Sequence, residues 1–263
     1  MNKIAILACL FFAGCSRPAD SPGTLHVAAA SNLSRVFPGL ARACTNATGL
    51  TLIPSFGNTA QLAQQIENGG PFDLFLAADT AHVLKLETAH KLIPNSLHNY
   101  AQGRLVLYAP RRPDIRKLED LALPSVKKIG IAKPELAPYG KASIEALTKL
   151  KLWPSLEPKA VYGQNIGAVL QFVDSSNVDA AFAALALVNE SPGNKILVDP
   201  SLHSPLDQAL GIPSATAHPN EAARAAAWFL SPEAQHIFSN SGYGIAAQDS
   251  GIAPHSPPAT VKP

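Results

Sequence analysis

The chain has 263 residues, a net charge of +2 and a charged fraction of 15%. This balance excludes the strongly basic composition of a nucleic-acid-binding protein and the highly charged composition of a disordered one. The length suffices for one large domain or for two smaller domains with hydrophobic cores of their own.

The first 15 residues predict an export signal that ends in a lipid attachment site. Residues 1–3 carry a positive charge, and the apolar run of residues 4–12 is too short to span a bilayer. Small residues then precede Cys15, as in the lipobox of bacterial lipoproteins, so we expect Cys15 to carry a lipid. An ordinary secretory signal is the alternative. We expect residues 16–23 to be a flexible tether and the protein to lie in the periplasm or at the cell surface, anchored to the membrane.

Cysteine usage excludes two classes of site. Cys9 lies in the predicted signal and Cys15 at the lipid site, so Cys44 remains alone in the mature chain. One cysteine can build neither a disulfide framework nor a cysteine-based metal centre. We interpret Cys44 as a small buried apolar residue.

Short apolar strands alternate with amphipathic helices along the mature chain, which predicts an α/β protein with mainly parallel sheets. The predicted strands are 25–29, 51–55, 73–77, 104–109, 128–132 and 180–183. The predicted helices are about 33–47, 59–68, 140–150, 167–174, 220–230 and a shorter one that ends near 239. Pro38 must either kink the first helix or open its main segment. The proline-rich tail of residues 248–263 is predicted to be disordered.

Four places share a pattern in which a strand ends, a small or hydroxyl residue follows and a helix begins. They are residues 29–32, 56–59, 137–140 and 164–167. Helix N-termini expose unpaired N–H groups and a partial positive charge, so they bind anions without charged side chains. In parallel α/β proteins these termini gather at the carboxyl edges of the strands. A single Ser or Thr there is better explained as a plain N-cap, but four such places together indicate an anion site.

Two aspartates and the histidines are weaker candidates for chemistry. Asp73 and Asp79 flank a predicted strand, which separates them by roughly 20 Å, too far for one metal ion or one scissile bond. Asp79 is better interpreted as a helix N-cap. The eight histidines show no zinc-binding spacing, and the sequence has no phosphate loop and no nucleophile elbow, so no metal held by side chains is predicted.

The sequence resembles the periplasmic molybdate-binding proteins of ABC importers. The segments that carry the resemblance are LHVAAAS (25–31), SFGNT (55–59), GPFDLFLAAD (70–79), KPELAPYG (133–140) and YGQNI (162–166). The resemblance ends near Gly244 and so covers nearly the whole mature chain. It implies a two-lobed type II periplasmic binding protein fold, with a mainly parallel sheet flanked by helices in each lobe. The implied lobes are residues 24–103 plus 205–247 and residues 104–204, with the anion in the cleft between them.

The resemblance also implies the residues that contact the anion. Hydroxyl contacts of the family fall on Ser31 and on Thr59, and its backbone N–H donors fall on Tyr139 and Ile166. Asn58 is a possible additional contact. A fifth contact in the family, a tyrosine hydroxyl, falls on Ala184 and is therefore missing. Either Tyr139, Tyr162 or a water molecule replaces it, or the bound anion is not molybdate.

The expected ligand is molybdate or tungstate, without a cofactor, and the expected partners are the permease subunits of an ABC transporter. Neutral donors suit a fully ionised oxyanion, whereas a protonated one would need an acceptor. Sulfate, another oxyanion or a small organic acid bound by the same fold is the first alternative. An exported enzyme on this scaffold is the second, and it would need a nucleophile or titratable pair that the sequence does not offer.

Overall fold

The computed structural model describes residues 23–246. The predicted signal peptide, the lipid site at Cys15, nearly all of the tether and the predicted disordered tail lie outside the described residues. In chain order the strands are β1 (Thr24–Ala30), β2 (Thr51–Gly57), β3 (Leu74–Leu76), β4 (His98–Gln102), β5 (Leu105–Ala109), β6 (Ile129–Ala132), β7 (Ala160–Gly163), β8 (Ala180–Ala184), β9 (Asn194–Leu197) and β10 (Asp207–Gly211).

Helices follow most of these strands. The α-helices are α1 (Phe37–Thr48), α2 (Thr59–Glu67), α3 (Thr80–Thr88), α4 (Pro138–Lys149), α5 (Trp153–Leu156), α6 (Ile166–Asp174), α7 (Leu185–Val188), α8 (Pro219–Phe229) and α9 (Pro232–Asn240). Short 3₁₀ helices cover Ser31–Leu33, Leu118–Ala122, Glu157–Lys159 and Pro200–Leu202. Among the helices of residues 23–246, none is long and apolar enough to cross a membrane.

The strands form two five-stranded sheets, each in its own lobe. The first sheet has the order β2-β1-β3-β10-β4 and the second β7-β6-β8-β5-β9. This is the two-lobed architecture that the resemblance implies. The chain passes between the lobes twice, from β4 to β5 and from β9 to β10, and the two connections pair where Gly103 N–H donates to Leu206 C=O at 2.8 Å. The limits of the lobes, 24–103 plus 205–247 and 104–204, remain a prediction.

Each sheet is mixed and not mainly parallel. In the first sheet β1 runs parallel to β2 and β3, while β10 runs antiparallel to β3 and β4. In the second sheet β6 runs parallel to β7 and β8, while β5 runs antiparallel to β8 and β9. The antiparallel strands β5 and β10 are the first ones that the chain enters after each crossing. The parallel half of each sheet is built from strand–helix–strand units. In such units the helices begin at the carboxyl edge of the strands.

Apolar side chains pack on both faces of the first sheet and around the second. Large residues on one face of the first sheet include Phe37, Phe229 and Phe238, whereas Phe75 lies on the other. Burial of each such side chain contributes about 1.5–3 kcal/mol to the free energy of unfolding. Cys44 is fully buried in the same core, which confirms its interpretation as a small apolar residue.

Pro38 opens a helix and does not kink one. It occupies the second position of α1, where its missing N–H costs nothing. The 3₁₀ helix Ser31–Leu33 precedes it, so the single long helix expected from about residue 33 is divided. This division gives the segment after β1 a helix start of its own, directly at the edge of the sheet.

Candidate functional site

The four predicted helix starts meet in one small cavity between the lobes. Its lining residues are Ala30, Ser31, Asn32, Gly57, Asn58, Thr59 and Ala78 from the first lobe and Ala137, Pro138, Tyr139 and Ile166 from the second. The empty volume is about 200 Å³, including the part that is open to solvent. Of the predicted contacts, the cavity brings together Ser31, Thr59, Tyr139, Ile166 and Asn58.

Unpaired backbone donors converge on this cavity. The N–H groups of Ser31, Thr59, Tyr139 and Ile166 have no hydrogen-bond partner among residues 23–246. Each belongs to the first turn of a helix, where the chain itself offers no acceptor. Four buried donors without partners are costly unless a ligand or water accepts from them. The cavity is therefore built to surround an acceptor.

Side-chain caps leave these donors free. Asn58 and Asn165 cap α2 and α6, but each accepts only from the third N–H of its helix, at 2.8 and 2.9 Å. Ala30 and Ala137, which precede the helices at Ser31–Leu33 and α4, have no side-chain oxygen and cap nothing. The first N–H groups of all four helices thus keep their partial positive charge.

Two hydroxyl groups add further donors. Ser31 is 8% exposed, and its hydroxyl has no partner within the described part of the chain. Thr59 is 1% exposed, and its Oγ1 accepts from Ala78 N–H at 3.2 Å. Because that bond uses a lone pair, the Thr59 proton remains available to a ligand.

Within residues 23–246, no residue that lines the cavity carries a formal charge. Arg35 is a cation that shares an outer hollow with Ser31, and it donates to Ser191 Oγ of the other lobe at 2.8 Å. A larger hollow of about 690 Å³ lies elsewhere between the lobes, but three carboxylates line it against one cation, Lys141; the carboxylates are those of Asp79, Glu145 and Asp207. Those carboxylates would repel an anion, so we place the candidate site in the smaller cavity.

The two aspartates considered in the sequence have structural roles. Asp79 caps α3 by accepting from the third N–H of the helix at 2.9 Å, which confirms its interpretation as an N-cap. Asp73 accepts from His26 N–H at 2.8 Å and from Thr216 Oγ1 at 2.6 Å. No group of three or more potential metal ligands occurs among the residues that the structure describes.

Direct contacts hold the lobes together beside the cavity. Asn58 Nδ2 donates to Gln164 C=O at 3.2 Å, and Ala60 N–H donates to Leu136 C=O at 3.3 Å. Both bonds join the first lobe to the second, so this is a closed arrangement. The Asn58 side chain thus caps α2 and bonds to the second lobe, so few of its donors and acceptors remain for a ligand.

Ala184 is not brought to the cavity. It is fully buried in the core of the second lobe, directly before α7. The position of the family tyrosine thus lacks a hydroxyl group and is not among the lining residues. Of the two tyrosines considered as replacements, Tyr139 lines the cavity, and Tyr162 is 41% exposed and does not.

Asn32 is a lining residue that the sequence reasoning missed. It is 1% exposed, and its Nδ2 donates to Gln208 Oε1 at 2.8 Å and to Tyr243 Oη at 2.9 Å. Gln208 and Tyr243 lie far along the chain, so no local pattern indicates this cluster. The only signal is a second polar residue directly after Ser31 at a predicted helix start.

Comparison with known proteins agrees with this geometry. Residues 25–244 match the family of bacterial extracellular solute-binding proteins. The molybdate-binding protein ModA of Azotobacter vinelandii is 33% identical over 89% of this chain and 94% of its own. The putative ABC transporter substrate-binding lipoprotein YvgL of Bacillus subtilis is 29% identical over 91% and 95%. The solved periplasmic molybdate-binding protein of A. vinelandii superposes with a TM-score of 0.81 at 29% identity, covering 85% of this chain and 100% of that one.

Proposed function

The chain belongs to the family of bacterial extracellular solute-binding proteins, and we propose that it captures molybdate or tungstate for an ABC importer. The observation that carries the proposal concerns the described part of the chain: four unpaired N–H groups and two hydroxyl groups converge on a cavity that no charged residue of that part lines. The name of the A. vinelandii relative points to the same ligand. The names of these relatives describe binding proteins, and we propose that this chain likewise leaves its ligand chemically unchanged.

Capture is reversible in this mechanism. Oxygen atoms of the anion displace water and accept from Ser31 and Thr59 on the first lobe and from the Tyr139 and Ile166 N–H groups on the second. Since the donors are divided between lobes, only the closed arrangement offers all of them at once. The anion thus stabilises closure by the free energy of the bonds that the open form cannot make. Permease subunits then recognise the closed form.

A panel of anions tests the ligand. We expect the purified protein to bind molybdate and tungstate more tightly than sulfate, and phosphate most weakly, in titration calorimetry. Raising the ionic strength from low to physiological should weaken binding only modestly, because buried interactions are poorly screened. Tightest binding of sulfate or of an organic acid would replace the proposed ligand while keeping the site. A steep loss with salt would contradict a pocket of neutral donors.

We also propose that Cys15 anchors the protein by a lipid. The lipobox-like sequence supports this, as does the lipoprotein name of the B. subtilis relative. Two or more acyl chains make membrane association stable, so we expect Cys15→Ala to move the protein from the membrane fraction to the soluble fraction. Cys44→Ala is a matched control that should stay with the membrane. A Cys15→Ala protein that remains fully membrane-bound would contradict the anchor.

A further inference from the structure

A buried cluster of polar side chains lies directly behind the anion cavity. Asn32 is bonded to Gln208 and Tyr243 as described, Tyr243 Oη donates back to Asn32 C=O at 3.0 Å, and Gln208 Nε2 donates to Ala78 C=O at 3.1 Å. These residues all belong to the first lobe. Their donors are fully used, so the cluster holds the Asn32 side chain in one orientation.

Tyr139 enters this cluster from the second lobe. It follows the first residue of α4, and its phenol ring is buried to 1% exposure. A Cβ atom added to Gly103 would lie 2.3 Å from Tyr139 Oη and 2.8 Å from Gln208 Nε2. Those two distances place the phenol hydroxyl beside the Asn32 cluster and against the connection between the lobes. Only a glycine at position 103 leaves room for it.

Two polar atoms here have no partner. Among the buried side-chain nitrogen and oxygen atoms of residues 23–246, only Asn32 Oδ1 and Tyr139 Oη make no hydrogen bond. One is an acceptor and the other is able to donate, and both belong to residues that line the anion cavity. Burial raises the pKa of Tyr139 well above its usual range, and the neighbouring Tyr243 raises it further while Asn32 lowers it. The phenol therefore keeps its proton.

An unpaired acceptor beside the site weakens the binding of a fully ionised oxyanion. Every oxygen of such an anion is itself an acceptor, so Asn32 Oδ1 would repel it and would stay unpaired. An anion that carries a proton could donate to Oδ1 and would gain affinity from the same atom. The identity of the donor that occupies Asn32 Oδ1 thus decides which anions the cavity accepts.

We propose that Tyr139 is a specificity-determining residue, whose hydroxyl donates to Asn32 Oδ1 when an anion occupies the closed cavity. The cavity then presents donors only, and it excludes oxyanions that carry a proton. This inference rests on the proposed function, because it assumes that an oxyanion occupies the cavity. It goes beyond the Tyr139 N–H contact by giving the side chain a separate task.

Sulfate and phosphate test the proposal, because they are similar in size and only phosphate carries a proton at neutral pH. The dissociation constants of both are measured by direct titration for the full chain and for Tyr139→Phe. In Tyr139→Phe the Asn32 acceptor is free, so phosphate affinity relative to sulfate affinity should rise about 10-fold to 100-fold. In the unchanged protein sulfate should bind more tightly than phosphate.

Tyr243→Phe is the matched control, since it removes an equally buried hydroxyl of the same cluster and leaves Asn32 Oδ1 as it is. The ratio of phosphate to sulfate affinity should stay within about twofold of the unchanged protein, a difference below 0.5 kcal/mol by the relation between affinity and free energy. An unchanged ratio in Tyr139→Phe, an equal change in both variants, or loss of all anion binding in a folded Tyr139→Phe would each overturn the proposal. Failure of molybdate to bind the unchanged protein, with sulfate bound, would instead remove the proposed ligand and leave this test in force.

Discussion

Ser31→Ala should weaken molybdate binding by about 10-fold to 150-fold, because a hydrogen bond to a charged group contributes about 1.5–3 kcal/mol. The Ser31 hydroxyl has no other partner within residues 23–246, so the substitution removes no bond of the protein itself. Ser31 is also not the cap of its helix, since Ala30 occupies that position. Titration calorimetry measures the affinity, and circular dichroism verifies that the fold is intact.

A matched control separates this contact from general changes at the cavity rim. Ser34 ends the same 3₁₀ helix and lies in the outer hollow, not in the cavity. We expect Ser34→Ala to bind molybdate within about twofold of the unchanged protein, a difference below 0.5 kcal/mol. Equal affinities of Ser31→Ala and Ser34→Ala, with both proteins folded, would falsify the placement of the anion at Ser31.

Local sequence predicts the half of each lobe that forms the cavity. The helices that begin after β1, β2 and β7 are predicted by a short local pattern. In this pattern a strand ends, a small or polar residue follows and a helix begins, all within a few residues. The cap at Asp79 is predicted for the same reason. Resemblance adds the two-lobed arrangement, which no short segment specifies.

The antiparallel halves were predicted less well, for a physical reason. The predicted strands do not include β4, β9 and β10, nor the parallel strand β7, and β4 (HNYAQ) has no regular alternation of apolar and polar residues. Its conformation depends on pairing with β10, more than 100 residues later. The contact of Tyr139 with the Asn32 cluster likewise forms only when the two lobes meet. Long-range pairing of this kind leaves no local pattern in the sequence.

Gly140→Ala should lower the free energy of unfolding by about 3 kcal/mol or more, at the upper end of the cost of overpacking. A Cβ atom at Gly140 would lie 2.0 Å from the carbonyl oxygen and 2.7 Å from the carbonyl carbon of Ala132, at the end of β6. These are backbone atoms that cannot rotate away, so α4 would have to move off the strand. Denaturant unfolding measures the loss.

Gly39→Ala is the control for the glycine substitution itself. Gly39 lies in the first turn of α1, and a Cβ atom there would meet nothing within 4 Å. Alanine restricts the unfolded chain more than glycine does, so Gly39→Ala should raise the free energy of unfolding by about 0.4–1 kcal/mol. A Gly140→Ala protein as stable as Gly39→Ala would contradict the close packing of α4 on β6.

Gly140→Ala should also weaken molybdate binding, and by more than the loss of folded protein accounts for. Tyr139 directly precedes Gly140, so a displaced α4 carries the Tyr139 N–H away from the anion and its hydroxyl away from Asn32. Donor positions in a site of this kind must hold to within about 0.5 Å. The binding is measured well below the midpoint of thermal unfolding, where Gly140→Ala is folded. We expect the folded variant to bind molybdate at least about tenfold more weakly than the unchanged protein, a change of about 1.4 kcal/mol in the free energy of binding. Unchanged affinity in that folded fraction would show that the start of α4 does not contact the anion.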